Sequence, residues 1–83
     1  MITDYNNLKK QIIYRLSHSG TKESDIVYKR LIIDRIDKFR INDLKLILHL
    51  IEDYSDSEIL LILNNKFNYD LKYKIIIEKI LSN

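Results

Sequence analysis

Four residues, Ser55-Asp56-Ser57-Glu58, separate two runs dense in leucine and isoleucine, and they have the form of a helix start. The Ser55 hydroxyl can accept from the third backbone N–H of a new helix, while the Glu58 carboxylate reaches back to the N–H of the cap residue itself. Tyr54 before the box and Ile59 at the fourth helical position stand at the spacing of a hydrophobic staple. Asp56 and Glu58 suit the positive end of a helix dipole. A chain carrying this box must end one helix and begin another between the two apolar runs.

Neither run alternates as a half-exposed strand does, and each falls short of the about 20 apolar residues that cross a bilayer. The competing arrangement is a buried β-hairpin, but no Asn-Gly or Asp-Gly turn supports it. Upstream, Asn42 is the expected cap for a helix over 43–53. Leu44, Ile47, Leu48 and Ile51 form its main face, and Leu46 and Leu50 a second stripe. Two stripes require more than one neighbour, which puts this helix at the centre. The second helix of the pair is expected over 56–66.

Three further helices complete an all-α fold, a small compact bundle of about five helices in one domain spanning 1–83. Thr3 is the expected cap for a helix over 4–17, with Tyr5, Leu8, Ile12, Ile13 and Leu16 on one side. Gly20, the only glycine, is expected to end the turn after it in a left-handed conformation. Thr21 then caps a long helix over 22–39. Val27, Tyr28, Leu31, Ile32, Ile36 and Phe39 form its apolar face, Ile26 and Ile33 stand at the margin, and Arg30, Asp34 and Lys38 pair at i,i+4. Asn68 or Asp70 caps a last helix over 70–81, whose expected buried side is Leu71, Ile75, Ile76, Ile80 and Leu81.

Composition narrows the functional classes. No cysteine is present, so disulfides, thiol nucleophiles and cysteine-based zinc sites are excluded. His18 and His49 have no metal spacing, and capping accounts for Asp56 and Glu58 in the acidic run Glu52, Asp53, Asp56, Glu58. No glycine-rich phosphate loop or nucleophile elbow occurs. No catalytic role, cofactor, metal or small-molecule substrate is therefore expected. The polar N-terminus and the absence of an apolar span point to a cytoplasmic protein with no membrane role. Abundant Ile, Lys, Asn and Tyr, with no Ala or Pro, fit an AT-rich genome.

Two functions fit what is left. The chain is 46% hydrophobic, more aliphatic surface than a bundle of 83 residues readily hides. That favours a non-enzymatic protein–protein interaction module, a small accessory or regulatory protein that forms a homodimer or binds a partner. Tyr14, Tyr69 and Tyr73 are its candidate interface residues, expected to be partly exposed. The alternative is a DNA-binding regulator with a helix-turn-helix-like pair at 56–81. Its candidate nucleic-acid contacts are Arg15, Lys29, Arg30, Arg35, Asn68, Lys72 and Lys74. A net charge of only +2 and the acids around the pair weigh against it.

Overall fold

The Ser55–Glu58 box forms as its residues dictate: the Glu58 N–H donates to Ser55 Oγ at 3.2 Å and the Ser55 N–H donates to Glu58 Oε1 at 2.9 Å. In the computed structural model, which describes residues 3–18 and 20–82, helices α3 (Ile41–Asp53) and α4 (Asp56–Leu63) flank this box. Around them lie α1 (Thr3–Ser17), α2 (Lys22–Leu31) and α5 (Lys74–Leu81), and no strand occurs among the described residues. The Cα radius of gyration is 11.9 Å, close to the roughly 12 Å expected of a compact chain this long. The all-α bundle is thus the fold, with α3 packed against α1, α4 and α5 at its centre.

The core is aliphatic with three aromatic side chains, Tyr28, Phe39 and Tyr73. Ile12 and Leu16 of α1, Leu44, Ile47 and Leu50 of α3, and Ile59 and Ile62 of α4 are all buried. Each set follows a helical stripe, so one face per helix supplies the core. Helix α3 starts two residues before the expected position. Asp43 at its third position accepts from the Arg40 N–H at 3.0 Å, which makes Arg40 and not Asn42 the cap. The Thr3 side chain, expected to cap α1, lies outside the described part of the chain.

The single long helix expected over 22–39 is divided. After Leu31 the backbone leaves α-geometry at Ile32 and tightens into a 3-10 segment, Ile33–Lys38, with Arg35 itself non-helical at φ −115° and ψ 16°. The cause lies in Arg35, which stands seven residues from Tyr28 and four from Phe39. In a continuous α-helix it would point with them into the core. The observed bend instead sends its guanidinium to the C-terminal end of α5. There it donates to the carbonyls of Ile80 at 2.8 Å, Ser82 at 2.7 Å and Lys79 at 3.3 Å, and it also reaches back to Leu31 O at 3.1 Å. These are carbonyls that a helix cannot answer from within. The bend also moves the ion pairing: Asp34 meets Lys29 at 3.1 Å rather than Arg30 or Lys38.

Helix α4 ends at Leu63, three residues before expectation, and the left-handed residue is Asn65, at φ 60°. The Lys66 N–H donates to Leu61 O at 2.8 Å and the Asn65 N–H to Ile62 O at 3.0 Å, the paired bonds of a Schellman motif. Gly20 has no positive φ, and a Cβ built on it meets nothing within 4 Å, so it is not the left-handed cap expected of it. Beyond Asn65 the chain is held by Tyr54, whose hydroxyl accepts from the Asp70 N–H at 3.0 Å. The Tyr54 ring meets the edges of Phe67 and Tyr73 at centroid distances of 6.3 and 6.0 Å.

The last helix is rotated from its expected setting. Asp70 caps a 3-10 turn, Leu71–Tyr73, by accepting from the Lys72 N–H at 3.0 Å, and α5 follows. Tyr73, Ile76, Ile77 and Ile80 are buried, while Leu71, Ile75 and Leu81 are exposed. Positions 73, 76, 77 and 80 are themselves an i, i+3, i+4, i+7 stripe, and a tyrosine on that stripe can be buried if its hydroxyl finds an acceptor. It does, in Asp53 of α3. Lys79 adds a 2.8 Å bond to Asp43, locking α5 to α3. Burial pushes the Asp43 carboxyl up, but Lys79 and the Arg40 N–H outweigh it and hold the group below its ordinary range.

Two substitutions test these assignments by urea denaturation. Asn65→Gly should raise stability by about 0.5–1 kcal/mol, because glycine adopts the left-handed region without strain, and Asn65→Val should lower it by at least as much. Arg35→Met should cost about 2 kcal/mol by stripping charged hydrogen bonds from the α5 carbonyls, and Arg35→Lys should recover little, since an ammonium cannot fork across them.

Candidate docking groove

Helix α2 is anchored at its start by Thr21, whose Oγ1 accepts from the Ser24 N–H at 3.1 Å and donates to Ser24 Oγ at 2.8 Å. It packs on α4 through buried Tyr28, whose hydroxyl donates to Asp56 Oδ1 at 2.8 Å. The other oxygen of Asp56 accepts from the Gly20 N–H at 3.3 Å. One carboxylate at the first position of α4 therefore fastens both α2 and the turn that precedes it.

Other residues of the same two helices line a groove. The open groove between them encloses about 610 Å³; α2 contributes Glu23, Ile26 and Val27 to its walls, with Thr21 at one end. Helix α4 contributes Ser57, Leu60, Leu61 and Asn64, an i, i+3, i+4, i+7 line. A smaller hollow of about 160 Å³ extends it along α2 past Arg30 and Leu31. Ile26 is 58% exposed and Leu61 40% exposed, so two large aliphatic side chains face solvent here. Among the described residues that line the main groove, Glu23 is the only ionisable group. Such a lining suits an apolar ridge better than it suits proton or group transfer.

The candidate nucleic-acid contacts are mostly engaged within the chain. Arg15 of α1 faces Glu52 of α3 at 3.8 Å, and Lys29 faces Asp34. Lys72 lies 3.9 Å from Asp53, with its ammonium 5.2 Å from the Tyr73 ring centre. Arg35 spends both terminal nitrogens of its guanidinium on backbone carbonyls, chiefly at the end of α5. Arg30, Asn68 and Lys74 are exposed, on three different elements. The pair proposed at 56–81 is joined by seven residues, 64–70, and α5 packs on α3 rather than on α4. A helix-turn-helix needs its two helices in contact across a turn of 3–4 residues.

The tyrosines divide. Tyr14 is exposed, with its ring 4.3 Å from that of His18, whose Nδ1 lies 2.7 Å from Tyr14 O. Tyr69 is half-buried against the core. Tyr73 is fully buried and is withdrawn as an interface residue, since its ring fills the α3–α5 contact. His49 is exposed on α3. The acidic run is engaged in ion pairs, hydrogen bonds and caps, and among the described residues no group of three or more histidine, aspartate and glutamate side chains could hold a metal ion. No described helix is long and apolar enough to cross a membrane.

The sequence carried one unused sign of the groove. Five consecutive aliphatic residues, 59–63, sit on a helix of eight, and a helix with 3.6 residues per turn cannot turn all five inward. Compared with known proteins, the chain matches no family model, no curated protein and no solved structure.

The Tyr28–Asp56 tie between α2 and α4 makes stability sensitive to alkali. Burial first, and then the bond to Asp56, pushes the Tyr28 phenol well above its ordinary value of 10.0. The folded chain keeps that proton while the unfolded chain releases it, so the contribution is complete below pH 10 and falls as pH rises beyond it. Burial and the Asp53 bond move Tyr73 in the same direction. Tyr28→Phe should be less stable than the parent at neutral pH, and chemical denaturation should show the gap narrowing above about pH 10.

Proposed function

We propose that this chain is a non-enzymatic protein-interaction module, an accessory or regulatory protein, whose docking face is the groove between α2 and α4. The observation that carries it is the aliphatic wall of Ile26, Val27, Leu60 and Leu61, set at helical spacing and partly exposed in a concave surface. An apolar ridge entering the groove would cover those side chains, at roughly 25 cal/mol for each Å² removed from water. The same lining gives little purchase to a polar or anionic ligand. A cytoplasmic setting agrees with the cysteine-free composition.

DNA binding through residues 56–81 has weaker support. Lys72 already faces Asp53, Asp70 caps the turn that would enter the groove of DNA, and the flanking α4 begins with Asp56 and Glu58. Each acid would repel phosphate.

Photo-crosslinking in extract of the native host tests the module directly. A crosslinking residue at Leu61 should give discrete protein adducts that disappear when Ile26→Asp is added, while the same residue at exposed Lys38 gives none. Equal labelling from both positions would overturn the proposal. A salt-dependent shift of DNA, lost in a Lys72→Ala, Lys74→Ala variant, would turn the assignment to nucleic acid.

A further inference from the structure

The described chain carries a second apolar surface, convex where the first is concave. Leu71 is 80% exposed and Ile75 is 73% exposed, the two most exposed large hydrophobic residues described. Ile75 stands on the first turn of α5 and Leu71 on the 3-10 turn that leads into it, so both belong to the start of the last helical segment. Lys74 and Glu78 belong to the same segment, the α5 ridge, and 71, 74, 75 and 78 are spaced i, i+3, i+4, i+7. The α2 wall and its extension repeat the spacing with Glu23, Ile26, Val27 and Arg30.

We propose that the α5 ridge of one copy docks in the α2/α4 groove of the next, so that the module's partner is a second copy of this chain. The inference rests on the groove being a docking face. Charge selects the occupant and its direction. Glu23 stands at the start of the groove wall and Arg30 at its far end, whereas the ridge presents Lys74 first and Glu78 second. With α5 laid parallel to α2, Lys74 approaches Glu23 and Glu78 approaches Arg30, with Ile75 over Ile26 and Leu61 between them. Glu23 and Arg30 are about 10 Å apart along their helix axis and Lys74 and Glu78 about 6 Å, a difference that the long lysine and arginine stems span. None of the four has a side-chain ion pair or hydrogen bond within the described residues, unlike Arg15, Lys29, Lys72 and Lys79. The contact is heterologous, since groove and ridge are different surfaces. Each copy keeps one free groove and one free ridge, and assembly continues past the dimer unless a ring closes. The interface is small and the association correspondingly weak.

Sedimentation of the purified protein from about 10 µM to about 1 mM tests this. The mean mass should rise with concentration beyond that of a dimer and fall back with added salt. Ile75→Asp removes the ridge and Leu61→Asp the groove; both sites are exposed, and circular dichroism checks that each variant folds. Each variant alone should be monomeric, and an equimolar mixture should form a heterodimer and stop there, because only one ridge and one groove remain. A charge-reversed pair, Lys74→Glu mixed with Glu23→Lys, should associate better than either alone. A monomeric parent at the highest concentration overturns the proposal. So does a mixture that forms no heterodimer, and so does a dimer that survives Ile75→Asp, which would mean groove meeting groove. If the parent is monomeric while Leu61 still crosslinks in extract, self-docking falls and the interaction module stands.

Discussion

Every helix end leaves backbone groups that the helix cannot answer, and a bundle of five short helices has many such ends for its size. In this chain, with no proline and a single glycine, side chains carry out most of that work. Ser55 and Glu58 cap α4 reciprocally, Thr21 caps α2, Asp43 answers the Arg40 N–H at the start of α3, and Asp70 opens the turn before α5. The carbonyl ends are answered by Arg35 and by the left-handed Asn65. Where a cap sits decides where a helix begins, and where helices begin decides which apolar stripe reaches the core.

Starts were legible where a Ser, Thr or Asp side chain is itself the cap, and less so at α3, where Asp43 answers the N–H of Arg40 three positions back. The Ser55 box and the roles of Thr21 and Asp70 follow from residues two or three positions apart, and the hydrogen bonds are those the spacing requires. Ends and bends were harder to read because their partners are distant in sequence. Arg35 looks like one more surface cation until its acceptors appear on residues 79, 80 and 82, and only then is the break in the 22–39 stretch explained. Gly20 drew the left-handed assignment because it is glycine, yet the strain falls on Asn65, a residue type that also tolerates αL. For α5, two stripes competed within Ile75-Ile76-Ile77. Tyr73 tipped the balance once Asp53 could satisfy its hydroxyl.

The groove between α2 and α4 was the least legible part. A sequence rich in isoleucine and leucine signals surplus apolar surface but does not locate it. Ile26 stood at the margin of one helix, and Leu60 and Leu61 lay inside a run that looked entirely internal. The groove needs α2 and α4 side by side, and the bond that ties them joins residues 28 positions apart. The candidate cations were visible individually, but whether an acid already faced each one depended on packing.

Arg35 has a consequence beyond capping. Its guanidinium is fixed to the far end of α5, and its backbone lies in the segment that continues from α2, the helix forming one wall of the groove. The concave and convex apolar surfaces thus belong to one mechanical circuit. A molecule bound at one surface would influence the other only by straining that tie, and linkage would then make the influence equal in both directions.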